Sequence, residues 1–435
     1  MEFRSTRSAE PLVSFKDAVL RCLPPDGGLY IPASVTDMRQ FFLYMDEDTS
    51  YPELVATVAP SLLQGELNPF SAARVAESAF DFEPELKILD DSLSVLNLYN
   101  GPTGVFKDFG IAFLAAIMEE LIKNNGRAMI LCAARSGGTG ASIAHSFYKR
   151  KGMTAVILYP AGTVHGLDPA LFVPQGGNIL PIQIEGNFDD CQQLIRNAIH
   201  DRPFAERYSI TSANAINVGR LLPQAFYYLY AFVKIKKKLC GDLSFSVPSG
   251  NFGNLIAGLY AWKFGMPVNG FIAAMNTNNA FGEYIRGEKF VPRPVVSTIS
   301  PALDVSNPAN YSRLAAFYQE SPAVMQNMVF PEVIDDGTTI AAMEQAWKDY
   351  GIILDPHGAV AFAAAKRCLG SRDFGGHVVV MATGHPAKYA DLVFKVTGQR
   401  VEVPENIAAL QNEVDPVAVI PPSLDSLQAA IASCC

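Results

Sequence analysis

Between residues 127 and 382 the chain alternates short, almost wholly apolar runs with longer stretches whose apolar residues recur at helical spacing. Arg127–Ala133, Thr154–Tyr159, Ile179–Ile184, Leu243–Val247, Val268–Met275 and His377–Ala382 read as strands apolar on both faces. Thr139–Lys151, Phe188–His200, Leu255–Phe264 and Ala359–Leu369 read as helices. Strands without polar alternation must be covered on both sides, so the pattern predicts an α/β fold with a parallel, doubly wound sheet. The first stretch, residues 1–90, breaks the rhythm: it is punctuated by prolines and richer in acidic and aromatic residues, and reads as an N-terminal helical cap. A body over 91–400 follows, with a smaller subdomain inserted at about 125–205. Residues 401–435 carry Pro404, Pro416, Pro421 and Pro422 and read as a loosely structured extension with one terminal helix.

Composition narrows the function classes. Of 435 residues, 49% are apolar and 18% charged, which supplies a core and excludes a disordered chain. The net charge of −9 argues against nucleic acid. No apolar run approaches the roughly 20 residues that span a bilayer, and no secretory h-region follows the first residues. Seven cysteines, scattered without a CxxC pair, fit a reducing cytoplasm. Cys434-Cys435 lacks the C-a-a-X frame and reads as an exposed thiol pair. HExxH, Walker A and clustered Cys/His patterns are missing, so no protein-bound metal is expected. His145, on a helix-like stretch, reads as a packing residue.

Four loops carry the chemistry. Ser246–Asn254 (SVPSGNFGN) follows a strand and opens a helix, converging backbone N–H groups and a positive dipole end on one point, as a phosphate site requires. An ordinary strand-to-helix turn would use the same Gly and Asn. In Gly101–Gly110 (GPTGVFKDFG), Lys107 begins a helix among apolar neighbours. Burial and the helix N-terminus both disfavour its charge and suit it to nucleophilic work on a carbonyl, whereas a lysine snorkelling to water would be inert. Arg135–Gly140 (RSGGTG) gathers hydroxyls and N–H groups that suit a carboxylate, although Ser136 or Thr139 could be a plain N-cap. Ala382–Lys388 (ATGHPAK) ends a strand at the edge where open α/β sheets bind ligands, with Thr383 offering a neutral hydroxyl.

Together, GPTxxFKDFG, SGxTG, VPSGNFGN and ATGHPAK resemble the threonine synthases, pyridoxal-phosphate (PLP) enzymes of fold type II, the tryptophan-synthase-β-like fold. SANAINVGRLLPQ (212–224), ALDVSNPANY (302–311) and DPHGAVAF (355–362) extend the resemblance over most of the chain. It implies a two-domain PLP-dependent carbon–oxygen lyase of threonine biosynthesis that converts O-phospho-L-homoserine to L-threonine and phosphate. Lys107 matches the lysine that binds PLP covalently and then shuttles protons. Gly250, Asn251, Phe252, Gly253 and Asn254 match the cup for the PLP phosphate, and Thr383 the hydroxyl facing the pyridine nitrogen. Ser136 and Thr139 match the loop for the substrate carboxylate. Asn217 and Arg220 are candidates for steering the substrate phosphate, and Arg135 for a relocated anion contact.

Several positions depart from the family pattern. Gly138 stands where Asp or Asn is usual, Arg135 replaces a small or hydroxyl residue, and Asn100 stands where a His often precedes GPT. Gly162–Leu171 lacks the family's Lys and carries Asp168. An alternative therefore stays open: a threonine-synthase-like phospholyase or β-/γ-replacement enzyme acting on a phosphorylated or related amino acid. In either case the partner is a small phosphoamino acid, with oligomeric state undetermined.

Overall fold

The computed structural model describes all residues except 9–10, 64, 125, 135–136, 162–175, 286–289, 372–374, 409–415 and 435. In chain order the first strands are β1 (Phe3–Ser5), β2 (Tyr30–Pro32), β3 (Glu85–Ile88), β4 (Leu93–Asn97), β5 (Ala128–Ala133), β6 (Met153–Pro160) and β7 (Ile179–Ile184). They are followed by β8 (Ile210–Ser212), β9 (Leu243–Pro248), β10 (Gly270–Met275), β11 (Val329–Val333), β12 (His377–Ala382) and β13 (Ala418–Ile420). A six-stranded sheet has the order β11-β10-β9-β12-β4-β3, and a five-stranded sheet β13-β7-β6-β5-β8. Every pairing in both is parallel except β3 with β4.

The apolar runs fold as their lack of polar alternation requires. Each residue of β4, β5, β9, β10 and β12 is buried, because helices cover both faces. Phe188–His200 forms one amphipathic helix over the smaller sheet, burying Cys191, Leu194, Ile195, Ala198 and Ile199. Its start is fixed by a capping box in which Asn187 accepts from Asp190 N while Asp190 reaches back to Asn187 N. The helix Lys107–Ile122 is buried on nearly all sides, consistent with a place between sheets and cap rather than at the surface.

Three expectations need correction. The first residues are not purely helical: β1 and β2 pair antiparallel, and β3 joins the large sheet as its one antiparallel edge strand. The alternation in β3 is weak because three of its four residues are exposed. The tail is not merely loose either, since β13 pairs parallel with β7 and extends the smaller sheet. His145 is exposed on its helix rather than packed. The cap docks onto the lysine-bearing helix through aromatic rings: Tyr51 lies 5.3 Å and Phe82 4.9 Å from Phe109. Among the described residues no helix is long and apolar enough to cross a membrane. Cys22, Cys132, Cys191 and Cys368 are buried, Cys240 and Cys434 exposed, and all are free.

Candidate active site

Because β4, β12 and β9 are parallel neighbours, their C-terminal ends open on one edge and bring together loops that lie far apart in sequence. Backbone bonds lock two of these loops. Leu98 N donates to Ala382 O (2.9 Å), Phe106 N to Thr383 O (3.0 Å), and His385 N to Gly104 O (2.9 Å). Gly104 sits at φ +66°, and a Cβ there would be 2.6 Å from Ile407 Cδ1, so only glycine fits under the C-terminal segment. Lys107 is the first residue of its helix, and Thr383 is thereby held against the same turn.

Lys107 forms no hydrogen bond or ion pair with any described residue. Its amine is crowded by protein atoms although the side chain keeps some surface. Burial, followed by repulsion from Arg220 and Lys388, pushes it from 10.5 down to about 8, against the attraction of Asp108. The side chain is half-buried rather than extended into water, and desolvation at the amine disfavours its charge without abolishing it. Asp108 is buried and accepts from Thr103 N (2.9 Å), Thr103 Oγ1 (2.6 Å) and Ser142 Oγ. Desolvation raises its pKa despite these bonds. Ser142 belongs to the helix Gly137–Phe147, so one carboxylate ties the lysine turn to the helix that follows the SGGTG loop.

The loop after β9 behaves as a cup. The N–H groups of Gly250, Asn251, Gly253, Asn254 and Leu255 donate to no described backbone or side-chain acceptor. Phe252, at φ +59°, turns the chain into the helix Gly253–Lys263 without a side-chain cap. Uncapped N–H groups at the positive end of a helix suit an anion. Gly250 allows the close approach of the neighbouring segment, since a Cβ would lie 2.9 Å from Ala302 O. Asn254 is buried and its Oδ1 accepts from Tyr227 (2.6 Å) and Tyr228 (2.8 Å), while its Nδ2 meets no acceptor among the described residues. Such an orphaned donor is costly unless a ligand satisfies it. Open N–H groups, an orphaned amide, an unpaired lysine and a hydroxyl on Thr383 without a described partner fit PLP, and each lies at the same sheet edge.

Arg220 reaches this place from the helix Val218–Leu221. A Cβ on Gly110 would be 2.5 Å from Arg220 O, so the two helices touch one turn beyond Lys107. The guanidinium is buried, donates through Nη1 to Ala213 O (2.7 Å), and leaves Nε without a described acceptor. Burial lowers its pKa to about 10. Asn217 differs from expectation: its Nδ2 donates to Val19 O (2.9 Å) and Ser212 O (2.8 Å), and its Oδ1 caps Gly219 N (2.8 Å). Both N–H groups are spent on the fold. Thr139 lies half-buried in the first turn of its helix, with no described hydrogen bond. Arg135, Ser136 and Gly162–Leu171 with Asp168 lie outside the described residues. A Cβ on Gly138 would meet only Val105, at 3.5 and 3.9 Å, so packing does not impose the glycine.

Two residues escaped sequence reasoning. Lys388, in the turn after Thr383, forms no ion pair with a described residue; burial lowers its pKa, opposed by Asp108 and Asp355. Its signal was present in ATGHPAK, but a lone lysine carries no direction. Asn406 donates to Pro102 O (3.0 Å) across some 300 residues and closes the lysine turn from above, which no local pattern announces.

Comparison with known proteins follows this geometry. The family model for pyridoxal-phosphate dependent enzymes matches residues 87–384, and those for the threonine synthase N terminus and C-terminal region match 2–80 and 358–431. Threonine synthase from Haemophilus influenzae is 33% identical over 411 residues, covering 94% of each chain. The enzyme from Escherichia coli strain K12 is 32% identical with the same coverage. Among solved structures, threonine synthase from Escherichia coli superposes with TM-score 0.88 at 30% identity over the full length of both chains. The PLP-bound enzyme from Brucella melitensis gives 0.88 at 28% identity, covering 100% of this chain and 99% of that one.

Proposed function

The chain belongs to the threonine synthase family, and on that premise we propose how its own residues divide the conversion of O-phospho-L-homoserine and water to L-threonine and phosphate. PLP, when bound, supplies the electron sink that makes protons at Cα and Cβ of the substrate removable. Lys107 Nζ holds the cofactor and then takes and returns those protons. Its amine, depressed to about 8, is still mostly charged at pH 7 but neutral in roughly a tenth of molecules, far more than an ordinary lysine, so it can accept a proton and give it back. Gly250, Asn251, Phe252, Gly253 and Asn254 hold the cofactor phosphate. Thr383 would offer the cofactor's pyridine nitrogen a neutral hydroxyl, which would fix no proton there. Ser136 and Thr139 orient the substrate carboxylate, with Arg135 as an added anion contact.

The observation that carries the substrate reading is the convergence of Lys107, Arg220 and Lys388. Arg220 and Lys388 are close enough to depress the Lys107 amine, and none of the three is ion-paired with a described residue. Such a place attracts a dianionic leaving group, and the orphaned Nε of Arg220 gives it a donor. Asn217 enters as the residue that positions Arg220 rather than as a ligand. The free buried thiols suit a reducing cytoplasm, where we place the enzyme. Incubation of the holoenzyme with O-phospho-L-homoserine tests the outcome: threonine and phosphate in equal amounts are expected, whereas 2-oxobutyrate as the main product would establish the phospholyase instead. Arg220→Lys is expected to raise KM for the phosphorylated substrate tenfold or more while cofactor content stays unchanged.

A further inference from the structure

Behind the loop Gly250–Asn254 lies a charge that the reaction above does not use. Arg313, on the helix Tyr311–Glu320, is fully buried. Its guanidinium donates to Tyr30 O (3.0 Å), Ala215 O (2.9 Å), Ile216 O (2.7 Å) and Asn310 Oδ1 (2.7 Å), and to no carboxylate. Glu320, on the same helix, is engaged instead by Arg4 and Lys263. Of the ionisable groups around Arg313, Cys22 and Tyr260 are raised by burial and therefore neutral, while Lys263 and Glu320, which line the same small cavity, pair with each other. An arginine does not shed its proton, and a buried cation among neutral groups is expensive to keep.

The bonds of Arg313 lead to the cup. Asn310, fixed by Arg313 through Oδ1, donates through Nδ2 to Asn251 O (3.1 Å), and Ala309 N donates to Asn251 Oδ1 (3.0 Å). A Cβ on Gly253 would lie 3.6 Å from Asn310 Nδ2, so one side chain separates the guanidinium from the loop. The acceptors Ala215 O and Ile216 O belong to the segment that leads into Arg220, and Tyr30 O belongs to β2 of the cap. We propose that Arg313 is the built-in countercharge of the cofactor phosphate, a positioning residue that shapes the cup through Asn310 and holds the bound phosphate in its dianionic form. The inference rests on the reading of Gly250–Asn254 as the phosphate cup.

Phosphorus NMR of the holoenzyme across about pH 4 to 9 tests it, because the resonance reports phosphate ionisation, which a merely structural arginine would not move. A free phosphomonoester takes up its second proton near pH 6. In the wild-type protein the midpoint is expected at least about one pH unit lower, and Arg313→Gln is expected to bring it back toward 6. Arg313→Lys, which keeps the charge but not the fork, is expected to stay near wild type. A wild-type midpoint at 6, an unshifted Arg313→Gln, or a lysine variant shifted as far as the glutamine one overturns the assignment. If the glutamine variant does not fold, the wild-type and lysine titrations decide. Gly250→Ala separates the two readings: it is expected to weaken cofactor retention tenfold or more. If that variant keeps PLP with an unaltered resonance, the cup fails and the role of Arg313 with it. If the cup variant behaves as expected and Arg313→Gln changes nothing, only the countercharge is wrong.

Discussion

Replacing Lys107 by methionine in the cofactor-free protein should stabilise the fold at neutral pH and do so less and less as the pH rises. The wild-type amine is pushed from 10.5 to about 8 by desolvation and by Arg220 and Lys388. At 1.36 kcal/mol per pH unit this difference corresponds to a penalty of about 3 kcal/mol for keeping the ammonium in the folded site. The sign follows from proton counts. Below pH 8 the lysine is charged in both states and the whole penalty applies. Between pH 8 and 10.5 the unfolded chain binds one more proton than the folded one, so wild-type stability rises with pH. Methionine keeps most of the apolar stem and carries no charge. Urea unfolding of both cofactor-free proteins should therefore place Lys107→Met ahead by up to about 3 kcal/mol at pH 7, and the gap should shrink by about 2 kcal/mol at pH 9.5. A variant less stable than wild type at pH 7, or a gap that ignores pH, would refute the claim that this lysine is an unpaired, desolvated cation. The same variant should lose covalent cofactor and turnover, which identifies the destabilisation as the cost of a usable amine.

Lys388→Met should raise KM for O-phospho-L-homoserine about tenfold, the order of one lost charge-assisted contact, with cofactor content unchanged by absorbance. An unchanged KM would remove Lys388 from the substrate site. Tyr51→Phe should stabilise the protein by about 1 kcal/mol in urea unfolding without altering kcat, because the Tyr51 hydroxyl is buried with no described partner. A destabilised variant would mean that the hydroxyl has found one. Gly138→Ala should leave stability equal or higher by about 0.5 kcal/mol, since the new methyl group reaches Val105 at ordinary contact distance and a helical glycine is disfavoured. A loss above about 1 kcal/mol would show that packing does require the glycine.

Much of the body was legible without coordinates. Ile179–Ile184, Phe188–His200 and His377–Ala382 occupy the residues that their patterns indicated, because a strand buried on both faces and an amphipathic helix each advertise their surroundings locally. The antiparallel β3 and the late strand β13 were not legible. Both are short edge strands whose identity depends on the partner available to them rather than on their own residues. The site divides in the same way. Lys107, the Gly250–Asn254 loop and Thr383 lie in turns whose glycines, prolines and hydroxyls mark them locally, whereas Asn406 and Arg313 act through hydrogen bonds to residues far away in sequence.

The amino-acid sequence by itself determined the kind of layers, the helix starts, and the short loops in which an amine, a set of free N–H groups and a hydroxyl are presented. Backbone sterics and hydrophobic periodicity act over a few residues, so they can be read there. Only the tertiary structure decided that Lys107 has no hydrogen-bond or ion-pair partner among the described residues, that the amide of Asn217 is spent on Val19 and Ser212, and that Arg313 stands buried behind the loop with four neutral acceptors. Charge and hydrogen-bond satisfaction depend on distance and burial, and parallel strands bring residues nearly 300 positions apart to one sheet edge before either is defined.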